Sequence, residues 1–316
     1  MHAAVRRTAH LMGTMVTIEV LEPADGTTDA PDAGGSVSRA FAWFRQVEAR
    51  CSRFDPQSEL RQLCAQHGVA VPVSALLFDA VKFAVAVAET SGGAFDPAVG
   101  ARMEARGFNR HHASGDITAS GVDPAPSADY TDILLDEARS TVTLRRPMLL
   151  DLGAIAKGLA VDLAARELAP FPGCAIDAGG DLYLGGLNGN GAEWTIGIRH
   201  PRIDRGLIDA VRVSNMAVCT SGDYERPAAT PGGGHHILDP RRGSSVSAVA
   251  SVTVVAPTAM LADALATAAF VLGPVSGIEL LERQGVNGLI VTPALERFST
   301  RGMPSDAGAS TLLPLP

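Results

Sequence analysis

The 316-residue sequence is poor in cysteine and in aromatic residues, and it has no long apolar run. Its four cysteines are widely spaced and form no C-x-x-C pair, which argues against a metal–thiolate site. We interpret them as reduced, mostly buried thiols, although their spacing leaves disulfide pairing open. No apolar run reaches the length of a membrane-spanning helix, so we expect no membrane segment in this chain.

The sequence also has fewer basic than acidic residues, which gives it a net charge of −8 at neutral pH. General nucleic-acid binders have a basic balance, so we expect no nucleic-acid partner. The first residues, M-H-A-A-V-R-R-T-A-H-L-M-G-T, include two arginines but no apolar stretch of a secretory signal. We therefore expect a cytoplasmic protein, whereas a longer natural N-terminus would be compatible with a periplasmic or membrane-anchored one.

Several sequence signatures of enzymes are missing. The sequence has no P-loop G-x-x-x-x-G-K-[ST], no G-x-S-x-G elbow and no H-E-x-x-H zinc motif. The stretch I-D-A-G-G-D-L-Y-L-G-G at 176–186 is rich in glycine, like a dinucleotide-binding loop. A predicted strand rather than a helix follows its first glycine pair, so the Rossmann interpretation fails.

Short strands and helices succeed one another along the chain. Alternating apolar residues predict a strand over 12–21, and a serine cap with apolar periodicity predicts a helix over 75–90. A predicted hairpin, 133–135 with 142–144, precedes a helix expected over 155–168. Because strands and helices do not alternate regularly, we expect an α+β fold with largely antiparallel sheets.

The stretch D-L-G-A-I-A-K-G at 151–158 joins an apolar run to a helix expected to begin near Ala154. A helix N-terminus presents unpaired N–H groups and a positive dipole end, which together favour an anion. Lys157 in the first turn is unfavourable for the dipole and is better explained by an anionic ligand. The alternative is that Asp151 caps the helix and Lys157 is a solvated surface charge.

Asp263 and Thr267 lie four residues apart and share one face of a predicted helix over 260–272. The rest of that helix is almost wholly apolar, so its carboxylate is expected to be buried and to need a partner or a metal. Carboxylate and hydroxyl oxygens suit Mg²⁺. The alternative is that Thr267 donates to the helix backbone and Asp263 pairs with a basic residue.

Two further polar segments carry candidate chemistry. Asp96, in S-G-G-A-F-D-P-A-V-G at 91–100, is expected to bind a ligand or to hydrogen-bond to its own backbone in a turn. His236, in G-H-H-I-L-D-P-R-R-G, is compatible with a general base, a diphosphate contact or a packed core histidine.

Eight motifs follow one another between residues 11 and 292. They are L-M-G-T (11–14), F-D-P-x-S-E-L (54–60), G-G-A-F-D-P-A-V-G (92–100), D-L-G-A-I-A-K-G (151–158), A-G-G-D (178–181), T-S-G-D-Y-E-R (220–226), H-H-I-L-D-P-R-x-G (235–243) and V-T-V-V-A-P-T-A-x-x-A-D-A-L-A-T (252–267). In this order they closely resemble the FAD:protein FMN transferases, the ApbE-type flavin transferases.

The resemblance implies Mg²⁺-dependent transfer of the FMN half of FAD to a threonine or serine hydroxyl of a partner protein, with release of AMP. It implies a two-lobed, T-fold-like α+β domain over 11–292. Outside that domain we expect loose termini at 1–10 and at 300–316, the latter rich in proline, glycine and serine. The metal would be held by the Ala154 carbonyl, Asp263 and Thr267, and catalysis would involve Asp263 and His236, the histidine activating the acceptor hydroxyl. The implied FAD contacts are Met12, Phe54, Ala94, Phe95, Asp96, Asp151, Lys157 and Ile237.

The resemblance also has consequences for the metal ligands, for the acceptor protein and for the alternative functions. Ala266 stands where many members have a further acid, so the metal would have one ligand fewer. The expected acceptor carries D-x-x-[ST]-G-A-[ST]; the nearest segment here, D-A-G-A-S at 306–310, lacks the hydroxyl before glycine, so we expect no self-modification. Two alternatives use the same contacts, namely Mg²⁺-dependent hydrolysis of FAD to FMN and AMP, and FAD binding without turnover.

Overall fold

The structure, a computed structural model, describes residues 3–23, 32–110, 115–225 and 234–304. The described strands are β1 (Ala4–Leu11), β2 (Thr14–Leu21), β3 (Val71–Pro72), β4 (Ile133–Asp136), β5 (Thr141–Leu144), β6 (Gly173–Ala178), β7 (Asp181–Gly186), β8 (Trp194–Arg199), β9 (Leu207–Val213), β10 (Met216–Gly222), β11 (Leu238–Asp239), β12 (Ser244–Ser245), β13 (Ser251–Ala256), β14 (Asn287–Val291) and β15 (Arg297–Ser299). Eight of them form an antiparallel sheet in the order β1-β2-β6-β7-β10-β13-β14-β15. The smaller sheets are β3-β5-β4, β8-β9 and β11-β12.

Helices cover one face of the eight-stranded sheet, and the β8–β9 hairpin packs on the other. The described helices are α1 (Ala33–Cys51), α2 (Glu59–Cys64), α3 (Ala75–Thr90), α4 (Gly100–Ala105), α5 (Gly153–Leu168), α6 (Ala259–Leu272) and α7 (Pro274–Arg283). On β10, Val218 belongs to the cluster that includes Ile196 and Ile198 of the hairpin, whereas the adjacent Cys219 lies against Ala259 of α6. This alternation is the period of a strand that is buried on both faces.

The β1–β2 hairpin turns through Met12 and Gly13. Leu11 pairs with Thr14, and φ is 49° at Met12 and 77° at Gly13, as in the type I′ turns that suit two-residue hairpins. The prediction that residues 1–10 are loose is wrong for 4–10, because these residues pair with β2 along its whole length. Residues 1 and 2 lie outside the described part.

Helices α5 and α6 approach each other closely at Gly158. A Cβ atom there would lie 2.5 Å from the Cα atom of Met260, so no larger residue fits without a shift of backbone. One turn further along the same face of α5, the Asp162 carboxylate accepts from the N–H groups of Ala259 (2.7 Å) and Met260 (3.0 Å). The first turn of α6 is thereby capped from α5, which fixes the two helices relative to each other.

The predicted fold class is confirmed, with helices packed on antiparallel sheets. The predicted hairpin at 133–144 is β4–β5, and the predicted helix at 75–90 is α3. Helix α5 begins at Gly153 rather than 155, because Asp151 accepts from the Gly153 N–H at 2.7 Å. The division into two lobes stays a prediction.

The four cysteines are buried free thiols, as expected. Burial raises the pKa of Cys51 and Cys64 to about 12. In the described ranges, no helix is long and apolar enough to cross a membrane. The predicted loose tail begins at Thr300, which is buried and whose hydroxyl accepts from Gly288 N–H at 3.1 Å. Residues 305–316, including the D-A-G-A-S segment, lie outside the described part.

Candidate active site

A cavity of about 310 Å³ lies where α5, α6, the end of β10 and the 235–243 segment meet. It brings together residues that are up to 254 positions apart, from Gly13 to Thr267. Eleven predicted site residues line it: Phe54, Ala94, Phe95, Asp96, Asp151, Ala154, Lys157, His236, Ile237, Asp263 and Thr267. Met12 lines a smaller adjoining cavity of about 80 Å³, which also touches Phe54 and Lys157.

Asp151 is held between an arginine and the start of α5. The Arg53 Nε donates to Asp151 Oδ2 at 2.7 Å, and Gly153 N–H donates to Asp151 Oδ1 at 2.7 Å. Arg53 is 5% exposed, donates also to the Phe108 carbonyl at 2.6 Å, and stacks 4.1 Å from the ring centre of Phe54. The sequence alternative, in which Asp151 caps the helix, is not what the structure shows, because Leu152 occupies the N-cap position and Asp151 contacts the helix only through the Gly153 N–H. Its contact with FAD stays a prediction.

Arg53 is a cavity residue that the sequence prediction missed. Its signal is its place immediately before the F-D-P motif, but nothing local shows that Arg53 reaches Asp151, 98 residues away. A buried arginine paired with one carboxylate keeps its positive charge and can orient toward a second anion. We therefore add Arg53 to the candidate site.

Lys157 forms an ion pair with Asp181, the first residue of β7. Asp181 is 2% exposed, and the Lys157 side chain is 20% exposed. Two expectations from the sequence are wrong. Lys157 is the fifth residue of α5, beyond its first turn, and it is not a solvated surface charge. The lysine does have an anionic partner, but the one in the structure is Asp181 from the A-G-G-D motif.

Asp96 caps the short 3₁₀ turn Pro97–Val99 by accepting from Ala98 N–H at 2.8 Å. Burial is the largest influence on this carboxyl and raises its pKa from 3.8 to about 6, although backbone N–H groups and Arg102 act in the opposite direction. The alternative of a local turn is therefore confirmed. Asp96 also lines the cavity, and its contact with a ligand stays a prediction.

The two neighbouring histidines have different surroundings. His235 is buried; its Nδ1 accepts from Ile237 N–H at 3.2 Å, so its proton lies on Nε2, which contacts the Val246 carbonyl at 2.6 Å. Its ring packs edge-on against Phe270 at 5.5 Å. His236 instead lines the cavity. The packed core histidine is therefore His235, whereas the general base and the diphosphate contact both stay open for His236.

The predicted metal ligands lie on the facing helices α5 and α6. Asp263 is 6% exposed, and the Thr267 hydroxyl lies 3.3 Å from that of Ser221. Both line the cavity together with Ala154, near the first turn of α5. A buried carboxylate, a hydroxyl and a main-chain carbonyl are hard oxygen donors, so these residues fit Mg²⁺. Ser221 was missed from sequence, because only the fold brings β10 against α6.

Within the described ranges, no group of three or more histidine, cysteine or acidic side chains is placed to hold a metal. Any Mg²⁺ at this site would therefore depend on the oxygens of Ala154, Asp263 and Thr267, with water and ligand phosphate completing the shell. Ala266 is fully buried next to Thr267, and its methyl side chain has no atom that could bind a metal.

Comparison with known proteins identifies the family. The family model described as "ApbE family" matches residues 12–290. A protein named FAD:protein FMN transferase from Treponema pallidum (strain Nichols) is 33% identical, with coverage of 90% of this chain and 83% of the relative. One with the same name from Vibrio cholerae serotype O1 is 29% identical, covering 91% and 87%.

Solved structures agree with the sequence relatives. The ApbE protein from Thermotoga maritima MSB8 superposes with a TM-score of 0.80 at 28% identity, covering 95% of this chain and 97% of that one. The flavin transferase ApbE from Vibrio cholerae gives 0.80 at 25% identity, with 95% and 98% coverage. The match over nearly the whole chain, in both sequence and fold, shows that this chain belongs to the ApbE family.

Proposed function

We propose that this protein transfers the FMN moiety of FAD to a hydroxyl of an acceptor protein and releases AMP. The observation that carries the proposal is the convergence of residues from separate motifs on one cavity, which provides cations, hard oxygen donors and a histidine together. The relatives named FAD:protein FMN transferase support the same reaction class. The acceptor is proposed to be a threonine or serine in a D-x-x-[ST]-G-A-[ST] segment.

Two groups of cavity residues would bind different parts of FAD. Arg53 and Lys157 place two cationic groups at the cavity wall, each held by a carboxylate, and these would orient the diphosphate. Phe54, Phe95 and Ile237 provide apolar surface for the ring systems. Because the fold holds these groups in place, the loss of side-chain conformational entropy when FAD binds would be small.

The metal site would be formed by the Ala154 carbonyl, Asp263 and Thr267. Bound Mg²⁺ would neutralise charge on the phosphate oxygens during transfer. Ser221 supports this arrangement, since its hydroxyl contacts that of Thr267 at 3.3 Å.

In this reaction, one phosphoanhydride bond of FAD is replaced by one phosphate ester bond to the acceptor. The acceptor hydroxyl oxygen bonds to the phosphorus on the FMN side, and the anhydride bond between that phosphorus and the AMP oxygen breaks. The electron pair of that bond leaves with AMP, and His236 takes the proton of the hydroxyl. Positioning and charge neutralisation supply most of the acceleration in such phosphoryl transfers.

The test is to incubate the purified protein with FAD, Mg²⁺ and an acceptor carrying the motif, and then to separate the products. Protein-bound flavin with AMP supports transfer. Free FMN with AMP in the presence of several such acceptors would contradict transfer and support hydrolysis, and unchanged FAD would support a binding protein. Omission of Mg²⁺ with excess chelator is expected to abolish product formation while FAD binding persists.

A further inference from the structure

A second cavity, of about 260 Å³, lies between the β8–β9 hairpin and the eight-stranded sheet. Residues 196–199 of β8 line it on one side, and Leu182 and Val218 line it on the other. Gly179, Thr220 and Glu225 line both this cavity and the candidate active site. The two spaces therefore meet at the end of β10.

The second cavity reaches the edge of β8 as well as its inner face, on which Ile196 and Ile198 pack toward the sheet. Side chains that share a face of a strand alternate, whereas here four consecutive residues border the cavity. Among the described residues, β8 pairs with β9 alone, so its other edge has no neighbouring strand. Such an edge offers its N–H and C=O groups to an incoming extended segment.

The junction of the two cavities lies next to the proposed metal ligands. Thr220 borders both spaces, and the adjacent Ser221 has its hydroxyl 3.3 Å from that of Thr267. A chain that follows β8 past Thr220 would therefore arrive at the side of the active site where the reacting phosphate is expected.

One arginine at this cavity is only loosely paired. Arg199 lies 4.8 Å from the ring centre of Tyr224, and its nearest carboxylates are those of Glu225 at 3.9 Å and Asp204 at 4.0 Å. Its side chain is 54% exposed. These are long distances for ion pairs, so the guanidinium can pair with an acidic residue of a ligand.

We propose that the second cavity is the docking groove for the acceptor protein, whose modified segment binds as an extended strand along the free edge of β8. Arg199 pairs with an acidic residue of that segment, and the segment delivers its hydroxyl past Thr220 to FAD. This inference rests on the proposed transferase function. The partner is an exposed, extended, acidic stretch of polypeptide with a serine or threonine near its acid.

Charge reversal at Arg199 tests the groove, with Arg212→Glu as a matched control. Arg212 is exposed on β9 of the same hairpin and does not line the second cavity. Initial rates of flavin transfer are measured over a range of acceptor concentrations, and FAD binding is measured separately. Arg199→Glu is expected to raise the KM for the acceptor about tenfold, with FAD affinity within twofold of the wild type. Arg212→Glu is expected to leave both within twofold.

Backbone pairing is tested with acceptor peptides that compete with the acceptor protein. Because alternate N–H groups of an extended strand point to the same neighbour, N-methylation of one alternate set removes the pairing donors and the other set does not. One set is expected to weaken competition at least tenfold and the other to be tolerated. Equal effects of both sets, or no competition by the unmethylated peptide, would contradict strand pairing.

The outcomes separate this inference from the proposed function. If the wild type forms no protein-bound flavin, the transferase function itself fails. If the wild type transfers flavin and Arg199→Glu matches Arg212→Glu, only the docking groove fails. Weaker FAD binding in Arg199→Glu would assign the second cavity to the nucleotide and would also overturn the proposal.

Discussion

At the scale of single residues, the adjacent His235 and His236 have different surroundings and are expected to have different roles. His235 joins Ile237 N–H and the Val246 carbonyl and packs on Phe270, so it holds the segment in place. His236 lines the cavity, where an imidazole can accept the proton of the acceptor hydroxyl. The sequence alone leaves the two interchangeable, because both stand in the same H-H-I-L-D-P motif.

Alanine at each histidine is expected to separate these roles. His236→Ala should lower flavin transfer by about 10²–10⁴-fold, the range for loss of a general base, with FAD affinity and thermal stability kept. His235→Ala should lower the free energy of unfolding by about 1–3 kcal/mol, because a buried N–H and carbonyl lose their partner. Full transfer with weakened FAD binding in His236→Ala would show that the base assignment is wrong.

Asp96 is expected to make stability depend on pH. Its folded-state pKa of about 6 lies above the ordinary 3.8, so between these values the folded protein holds more protons than the unfolded one. The contribution of Asp96 to the free energy of unfolding therefore falls as pH rises from 4 to 6, by at most ~3 kcal/mol.

Asp96→Asn removes this titration. Denaturant unfolding of wild type and variant at pH 4, 5 and 6.5 measures the difference, and the stability of the variant relative to the wild type should increase with pH. A constant difference over this range would contradict the raised pKa of Asp96.

The contacts of individual residues were only partly predictable. Lys157 could be recognised as a cation in need of an anion, because a lysine near a helix start is unfavourable. Its partner Asp181 could not, since the pair forms only when α5 packs against the sheet. Arg53 with Asp151 is a similar case, because the two are 98 residues apart.

At the scale of elements, α5 and α6 form the framework of the proposed metal site. Gly158 permits the close approach, and Asp162 caps α6 through two backbone N–H groups. Ala154, Gly158 and Asp162 recur every four residues, so they share the face of α5 that meets α6. The periodic patterns predicted both helices, but no local pattern shows that Asp162 reaches the first turn of α6, 97 residues away.

Loss of the Asp162 carboxylate is expected to loosen α6. Asp162→Ala leaves two N–H groups without their acceptor and should lower the free energy of unfolding by about 1–2 kcal/mol. Calorimetric titration should also show weaker Mg²⁺ binding, because Asp263 and Thr267 are carried by the same helix. Asp162→Asn keeps one side-chain carbonyl oxygen as acceptor and is the control, with an intermediate loss. Equal stability of Asp162→Ala and wild type would contradict the cap.

At the scale of the whole molecule, the ordered motifs predicted which residues meet, and the fold shows how. Phe54 and Thr267 line one cavity because the large sheet, the α5–α6 pair and the 235–243 segment converge there. Local periodicity fixes the elements but carries no information on their packing. Strand β1 was not predicted for this reason, because the apolar alternation of A-V-R-R-T-A-H-L is weak. The strand forms because β2 pairs with it.

Ligand binding is expected to stabilise the whole fold in two separable steps. FAD alone should raise the melting temperature of the wild type, since a ligand that binds only the folded state stabilises it by about 2.7 kcal/mol at a hundred times its Kd. Mg²⁺ should add a further rise. Asp263→Ala should retain the rise with FAD and lose the rise with Mg²⁺; an unchanged response to Mg²⁺ would show that Asp263 is not a ligand.

In the proposed reaction, the phosphorus on the FMN side of FAD moves to a hydroxyl of another protein. The most direct measurement uses FAD labelled with ³²P at that phosphorus, together with Mg²⁺ and an acceptor that carries the D-x-x-[ST]-G-A-[ST] segment. After one turnover the label should be covalently bound to the acceptor at its serine or threonine, with an equal amount of unlabelled AMP. Label that stays entirely in FAD or in free FMN would contradict transfer to the acceptor.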